Sequence, residues 1–340
     1  MAMLIQNYAD LHLINMTLDG NNLNYSQKNG LSYALSINSG TVVIEDTTII
    51  ANSQGAKAHA FDVYDDPNYE GTPNVTVKGN SKIIGDIEIE WIGDSVFSIE
   101  KSEVTDIKTA LEFAADNAKI SLAGDITVDK AITLKAGVVL DGHGYTLKNV
   151  QLTMEESSVV KNVKFDGVCS DEGSNIYAPG VSFTVKNCSF VNSNWDAIQA
   201  TPVPGNEIVI DGCTFADYTT ETSVQKRGIH IEASYTADGD GDGIPDAADT
   251  DNGIKLTITN CHLDLTRFIT GSEAFANEIV TAGVFPENIT ASGNTYSENP
   301  EVFVVIDKCF ICSYRVDNGG GGWKTVYAPN EMTIFALAKK

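Results

Sequence analysis

Three short phrases decide how this chain folds: Asn162-Val163-Lys164-Phe165, Asn187-Cys188-Ser189-Phe190 and Gly212-Cys213-Thr214-Phe215. Their phenylalanines, Phe165, Phe190 and Phe215, are 25 residues apart each time. An alternating apolar run precedes each phrase: Val159-Val160, Val181-Ser182-Phe183-Thr184-Val185 and Ile208-Val209-Ile210. A fixed period in this range marks a stacked repeat, whose units bury together a face that none can bury alone. Alternation at period two makes each unit a set of strands. The expected class is all-β, a solenoid in which each repeat is one turn.

The pattern extends in both directions. Residues 1–102 carry looser copies: Asn15-Met16-Thr17-Leu18, Asp46-Thr47-Thr48-Ile49 and Asn80-Ser81-Lys82-Ile83, spaced by 31 and 34 residues, which implies longer loops. One interruption follows. From Thr105 or Asp106 as N-cap, Ile107, Ala110, Leu111, Ala114 and Ala118 recur at helical spacing, so one short capping helix is expected near 106–118. Strands are expected at Lys119–Leu122, Ile126–Val128 and Ile132–Leu134, then the run Val138 to Leu147. Further copies end at Asn260-Cys261-His262-Leu263 and Gly293-Asn294-Thr295-Tyr296. The step from Phe215 to Leu263 is 48 residues, so about 23 are inserted into that coil. The expected organisation is N-terminal coils over 1–102 and a capped solenoid over 103–310 with an insertion at 236–253. A C-terminal strand and a tail containing Gly319 to Gly322 fill 311–340.

The formal charge of -24 disfavours nucleic acid and anionic membrane surfaces as partners, since both need Lys and Arg. No basic and apolar leader is visible at the start, and no window approaches a membrane span, which leads to the expectation of a protein made in a host cytoplasm. Of six cysteines, Cys188, Cys213 and Cys261 hold equivalent places in successive repeats and are expected as stacked, reduced core thiols. Cys309 and Cys312 form a lone C-x-x-C with no second pair for zinc and read as structural.

The phrases of the form V-x-I-x-N-C-x-F, with the run from Ile132 to Leu147, resemble the right-handed parallel β-helix of pectate-lyase-like proteins. The resemblance implies inward apolar residues and an Asn ladder at a tight turn, with Asn187 and Asn260 bonding to neighbouring coils. It covers 103–300 well and 1–102 weakly. It implies fold more than function, because that fold hosts lyases, hydrolases, adhesins and virion fibres. Gly142-His143-Gly144 resembles the G-H-G of polygalacturonases, but no matching carboxylate cluster accompanies it, and a turn between strands explains it as well.

The densest local signal is Asp238, Asp240, Asp242, Gly243, Ile244, Asp246 and Asp249, followed by Asp251. Acids at positions 1, 3 and 5, Gly at 6, a backbone carbonyl at 7 and acids at 9 and 12 follow the grammar of a Ca²⁺ loop. The expected metal ligands are Asp238, Asp240, Asp242, Ile244 through its carbonyl, Asp246, Asp249 and Asp251. The stretch also resembles the calcium repeats of thrombospondin type 3 modules.

Lys226-Arg227 precede Gly228-Ile229-His230-Ile231-Glu232, and Asn194-Trp195-Asp196-Ala197-Ile198 lies one coil earlier. Asp196, Arg227 and His230 are therefore the candidate catalytic residues, and Trp195 the candidate sugar platform. No phosphate loop, nucleophile elbow or zinc-protease motif is present. Taken with the resemblance, the expectation is a non-enzymatic structural and binding protein of the phage virion: a capsid fibre, decoration or tail-spike-like protein. It would assemble as a homotrimer or with other virion or surface proteins, and would contact polysaccharide. The alternatives are a calcium-assisted polysaccharide lyase or glycoside hydrolase, and a fragment of a bacterial surface adhesin.

Overall fold

The computed structural model describes residues 1–23, 30–55, 57–90, 94–170, 173–216, 227–233, 251–264, 268–269, 274–275, 278–282, 284–297, 303–306, 309–317, 323–331 and 336–339. Among them the class is all-β: one α-helix, Ile107–Glu112, and two short 3-10 turns are the only helical elements. The chain divides into two compact units, one made of residues 1–126 and 137–145, the other of 127–136 and 146–340. None of the helices among the described residues is long and apolar enough to cross a membrane.

In the first unit, one parallel sheet runs Ala2–Asn7, Leu31–Ile37, Lys57–Tyr64, Asp86–Glu90. A second runs Leu11–Ile14, Thr41–Glu45, Asn74–Lys78, Val96–Val104, Ala114–Leu122, Val139–Asp141, with Thr17–Asp19, Thr48–Ile50 and Lys82–Ile84 paired alongside. The chain makes one strand in the first sheet, crosses to the second, and returns one strand further on. Leu35, Phe61, Ile44, Val77 and Ile83 are fully buried between the two.

The second unit repeats three strands per coil. One coil is Ser158–Lys161, Lys164–Asp166 and Ile176–Pro179; the next is Phe183–Lys186, Ser189–Val191 and Asp196–Thr201. Glu207–Asp211, Thr214–Phe215 and Arg227–Glu232 follow, then Lys255–Thr259, His262–Asp264 and Glu278–Ala282. Each strand pairs in parallel with its counterpart one coil on. This stacking of parallel sheets is compatible with a solenoid. Phe165 stands opposite Phe190, and Phe190 opposite Phe215. Their rings stack at 4.9 and 5.2 Å and lie within 4° of parallel. That separation is close to the roughly 4.8 Å strand spacing, so the backbone ladder sets it. Each fully buried ring contributes about 1.5–3 kcal/mol through its area alone.

A left-handed turn residue separates the first and second strands of each coil. Asn162, Asn187 and Asn260 have φ of 55°, 51° and 54°, and Gly212 and Gly293 have 66° and 68°. The turn is locked axially: Asn187 N–H donates to Asp211 O at 2.8 Å and Gly212 N–H to Thr259 O at 2.9 Å. Asparagine suits this conformation, but two adjacent side chains compete for the same space. A Cβ on Gly212 would lie 2.4 Å from Asn187 Oδ1, and one on Gly293 would lie 2.5 Å from Asn260 Oδ1. From residue 187 onward, Asn and Gly therefore alternate up the ladder. Asn260 Nδ2 also donates to Asp211 Oδ1 at 2.8 Å.

Cys188, Cys213 and Cys261 are free and buried. Their thiols reach only backbone carbonyls and one another; Cys188 Sγ lies 3.3 Å from Lys186 O and Cys261 Sγ 3.3 Å from Thr259 O. The Cys188 thiol raises the pKa of Cys213, and the Cys213 thiol together with burial raises that of Cys261, so both stay protonated and unreactive.

The helix departs from the sequence expectation. It is capped by Asp106, which accepts from Thr109 N–H at 3.1 Å, but it ends at Glu112. Ala114 and Ala118 fall instead on the strand Ala114–Leu122. A spacing of four residues is even, so it satisfies a strand face as well as a helix face. Ala118, Ile120 and Leu122 then continue at period two, all buried. The helix joins two neighbouring strands of one sheet, Val96–Val104 and Ala114–Leu122. Gly142-His143-Gly144 forms a tight turn, with φ of 49° at His143 and 82° at Gly144, closed by Tyr145 N–H to Gly142 O at 2.8 Å. Cys309 and Cys312 lie on Cys309–Asp317, paired antiparallel with Trp323–Glu331.

Candidate functional site

Asp196 opens the strand Asp196–Thr201, and Arg227 opens its parallel neighbour, Arg227–Glu232. The register sets Asp196 opposite Arg227 and Gln199 opposite His230. Three residues distant in sequence are thereby brought into one ion cluster. Asp196 has no exposed surface. Its Oδ2 lies 2.8 Å from His230 Nδ1 and 3.2 Å from Arg227 Nη1, and its Oδ1 lies 3.4 Å from the same Nη1. Arg227 Nη1 and His230 Nδ1 are 2.9 Å apart. A buried carboxylate assigns the proton: Nδ1–H donates to Asp196, and the guanidinium donates to the same carboxylate. On its far side, His230 Nε2 faces Glu232 Oε2 at 3.6 Å. With His230 doubly protonated, the two acids and two bases balance.

Trp195 adjoins this cluster in the chain, and its carbonyl accepts from Arg227 N–H at 3.4 Å. The expected calcium ligands Asp238, Asp240, Asp242, Ile244, Asp246 and Asp249 lie outside the described residues. Asp251 is described and exposed; its Oδ1 accepts from Gly253 N–H and from Asn288 Nδ2, each at 2.7 Å. Among the described residues no group of three or more His, Cys, Asp and Glu is placed to hold a metal ion.

No family model, curated protein or solved structure matches the chain. The chemistry of its sites follows from geometry alone.

A second cluster, marked by no motif, lies in the first unit on the sheet of Leu31–Ile37, Lys57–Tyr64 and Asp86–Glu90. Ser36, Asp62 and Glu88 stand opposite one another in successive strands. Tyr33 and His59 stack at 5.3 Å. Tyr33 donates its hydroxyl proton to Glu88 Oε2 at 2.5 Å, and His59 Nε2 lies 3.7 Å from the same oxygen. The signal was present as spacing: Ser36, Asp62 and Glu88 are 26 residues apart, as are Tyr33 and His59. The looser copies of the phrase, spaced at 31 and 34, concealed it. Burial pushes the Asp62 carboxyl from its ordinary value of 3.8 up to about 7, against hydrogen bonds from Ser36 and Ile37 and with the charges of Glu88 and Glu90 assisting.

Two predictions follow from these geometries. Arg227→Met leaves Asp196 buried with half its compensation and lowers stability by about 3 kcal/mol in denaturant melts. Adding Asp196→Asn to it restores part of that loss, because no uncompensated charge remains. For Asp62 the folded state binds the proton more tightly than the unfolded chain. Its stabilisation is complete below about pH 4 and is lost as pH rises through about 7. Asp62→Asn removes that slope, seen as a smaller fall in stability between pH 4 and 8 than the unaltered chain shows.

Proposed function

We propose that the coils form a right-handed parallel β-helix and that the chain is a non-catalytic structural component of an assembly, of the phage-virion type. Right-handedness is supported by the general rule that about 98% of parallel crossovers take that hand. The observation that carries the functional reading is the closure of the Asp196 cluster. Its buried carboxylate is held by Arg227 and His230 together, so these charges compensate one another inside the coil stack. A cluster of this kind fixes the register of two adjacent strands. The acidic surface keeps such a scaffold soluble, and the assembly partners are further copies, as a homotrimer, or other virion proteins. The loop at 236–253 binds Ca²⁺ through Asp238, Asp240, Asp242, Asp246, Asp249 and the Ile244 carbonyl, and the ion orders the insertion rather than taking part in chemistry.

A calcium-assisted polysaccharide lyase or hydrolase is the second reading. One observation favours it: His230 Nδ1 is tied to a buried carboxylate while Nε2 points towards partly exposed Glu232, the arrangement of an oriented general base.

One set of measurements separates the two. The purified chain is incubated with acidic and neutral polysaccharides, with Ca²⁺ and with chelator, and new reducing ends and unsaturated-uronate absorbance are followed. Sedimentation and Ca²⁺ calorimetry accompany the assay. The scaffold reading expects no turnover, a discrete oligomer, and Ca²⁺ binding abolished in the variant carrying Asp240→Asn and Asp242→Asn. Turnover that disappears in His230→Ala contradicts it, and Ca²⁺ affinity unchanged by the double substitution removes the metal from the account.

A further inference from the structure

The Asp62 cluster has the construction of a ligand site. A β-bulge makes it. In pairing with Asp86–Glu90, the strand Lys57–Tyr64 sets His59 opposite Asp86 and Phe61 opposite Ile87, so Ala60 is left over. Phe61 and Ile87 point into the core and are buried. Asp86 and Glu88 flank Ile87 in ordinary alternation, so they face outward, and their partners His59 and Asp62 face outward with them. Without the extra residue His59 and Asp62 would lie on opposite faces. Bulges of this kind re-aim side chains next to functional sites.

The floor of the site is buried and incompletely bonded. Asp62 is 6% exposed, yet its Oδ1 has no hydrogen-bond partner, and neither has His59 Nδ1. Two such atoms side by side call for a ligand, because each unpaired buried polar atom costs roughly 1–3 kcal/mol. The rim is open: the Glu88 side chain is 27% exposed. Beside it, Tyr8 and Tyr69 pair at 4.2 Å with 38% and 48% of their surfaces exposed. Gln6 donates its amide to the Tyr8 hydroxyl. Partial burial, the Tyr69 hydroxyl and the charges of Asp66 and Asp62 raise the Tyr8 pKa, which places the ring pair within reach of the carboxyls.

We propose that this face binds a neutral saccharide, with Tyr8 and Tyr69 against the apolar face of a sugar ring and Asp62, His59 and Glu88 taking its hydroxyls. A hydroxyl both donates and accepts, so it satisfies Asp62 Oδ1 whether that carboxyl is ionised or protonated. Exposed tyrosines supply rigid, amphipathic contact area of the kind binding surfaces use. Acidic glycans are excluded by Asp62, Asp66, Glu88 and Glu90. The site is separate from the Asp196 cluster and does not depend on whether that cluster is catalytic.

The test is calorimetric titration of the full chain with cellohexaose, mannohexaose and chitohexaose, with oligogalacturonate as the acidic control. At least one neutral oligosaccharide binds; Tyr69→Ala and Glu88→Gln each weaken it on the order of tenfold, and Trp195→Ala leaves it unchanged. Tyr69 and Glu88 lie on the rim, so these variants retain the fold, which melting confirms. Absence of binding to all three neutral sugars overturns the proposal. So does binding indifferent to both rim substitutions, or binding of the acidic control in their place.

Discussion

The coils of the second unit stand on one another through a left-handed turn that recurs at Asn162, Asn187, Gly212, Asn260 and Gly293. This turn is where the chain leaves one strand and enters the next, and its N–H reaches a carbonyl of the following coil. Everything else inherits its register. If the turn slipped by one residue, the phenylalanine stack would face solvent and the polar edge would face the core. The side chain at the turn has to fit beneath the next turn. An asparagine that occupies the space above itself demands a glycine there, as at Asn187 beneath Gly212 and Asn260 beneath Gly293.

The same register assembles both polar clusters. Asp196 and Arg227 are 31 residues apart and meet because their strands are parallel neighbours. Ser36, Asp62 and Glu88 form a row for the same reason. The two rows differ in what completes them. Around Asp196 the protein supplies both counter-charges, and the buried carboxylate is matched. Around Asp62 it supplies the hydroxyl of Ser36 but leaves one oxygen and one ring nitrogen without partners. A matched cluster holds strands together, whereas an unmatched one calls for a ligand.

The sequence made parts of this legible because stacking repeats the same requirement at a fixed interval. Phe165, Phe190 and Phe215 announced their own pairing, as did the buried thiols of Cys188, Cys213 and Cys261. Asp196, Arg227 and His230 were brought together by counting coils across the insertion. Other features were hidden for physical reasons. The helix at Ile107–Glu112 looked longer because Ala114 and Ala118 suit either periodicity. The Asp62 row escaped notice because a bulge at Ala60 breaks the alternation that would have revealed which residues share a face. Its residues are also ordinary ones, a serine and two acids whose character comes only from burial and stacking.

The claim that the turn ladder governs the fold is tested most directly by a double-mutant cycle at Asn187 and Gly212, with Gly205→Ala as reference. Gly205 has φ of 84° and open space at its Cβ position, so its substitution carries the left-handed penalty alone, about 1–2 kcal/mol. Gly212→Ala carries that penalty and the collision with Asn187 Oδ1 as well. The account predicts that Gly212→Ala destabilises more than Gly205→Ala, and that adding Asn187→Gly recovers part of the difference. Strict additivity, or equal costs at Gly212 and Gly205, would contradict it.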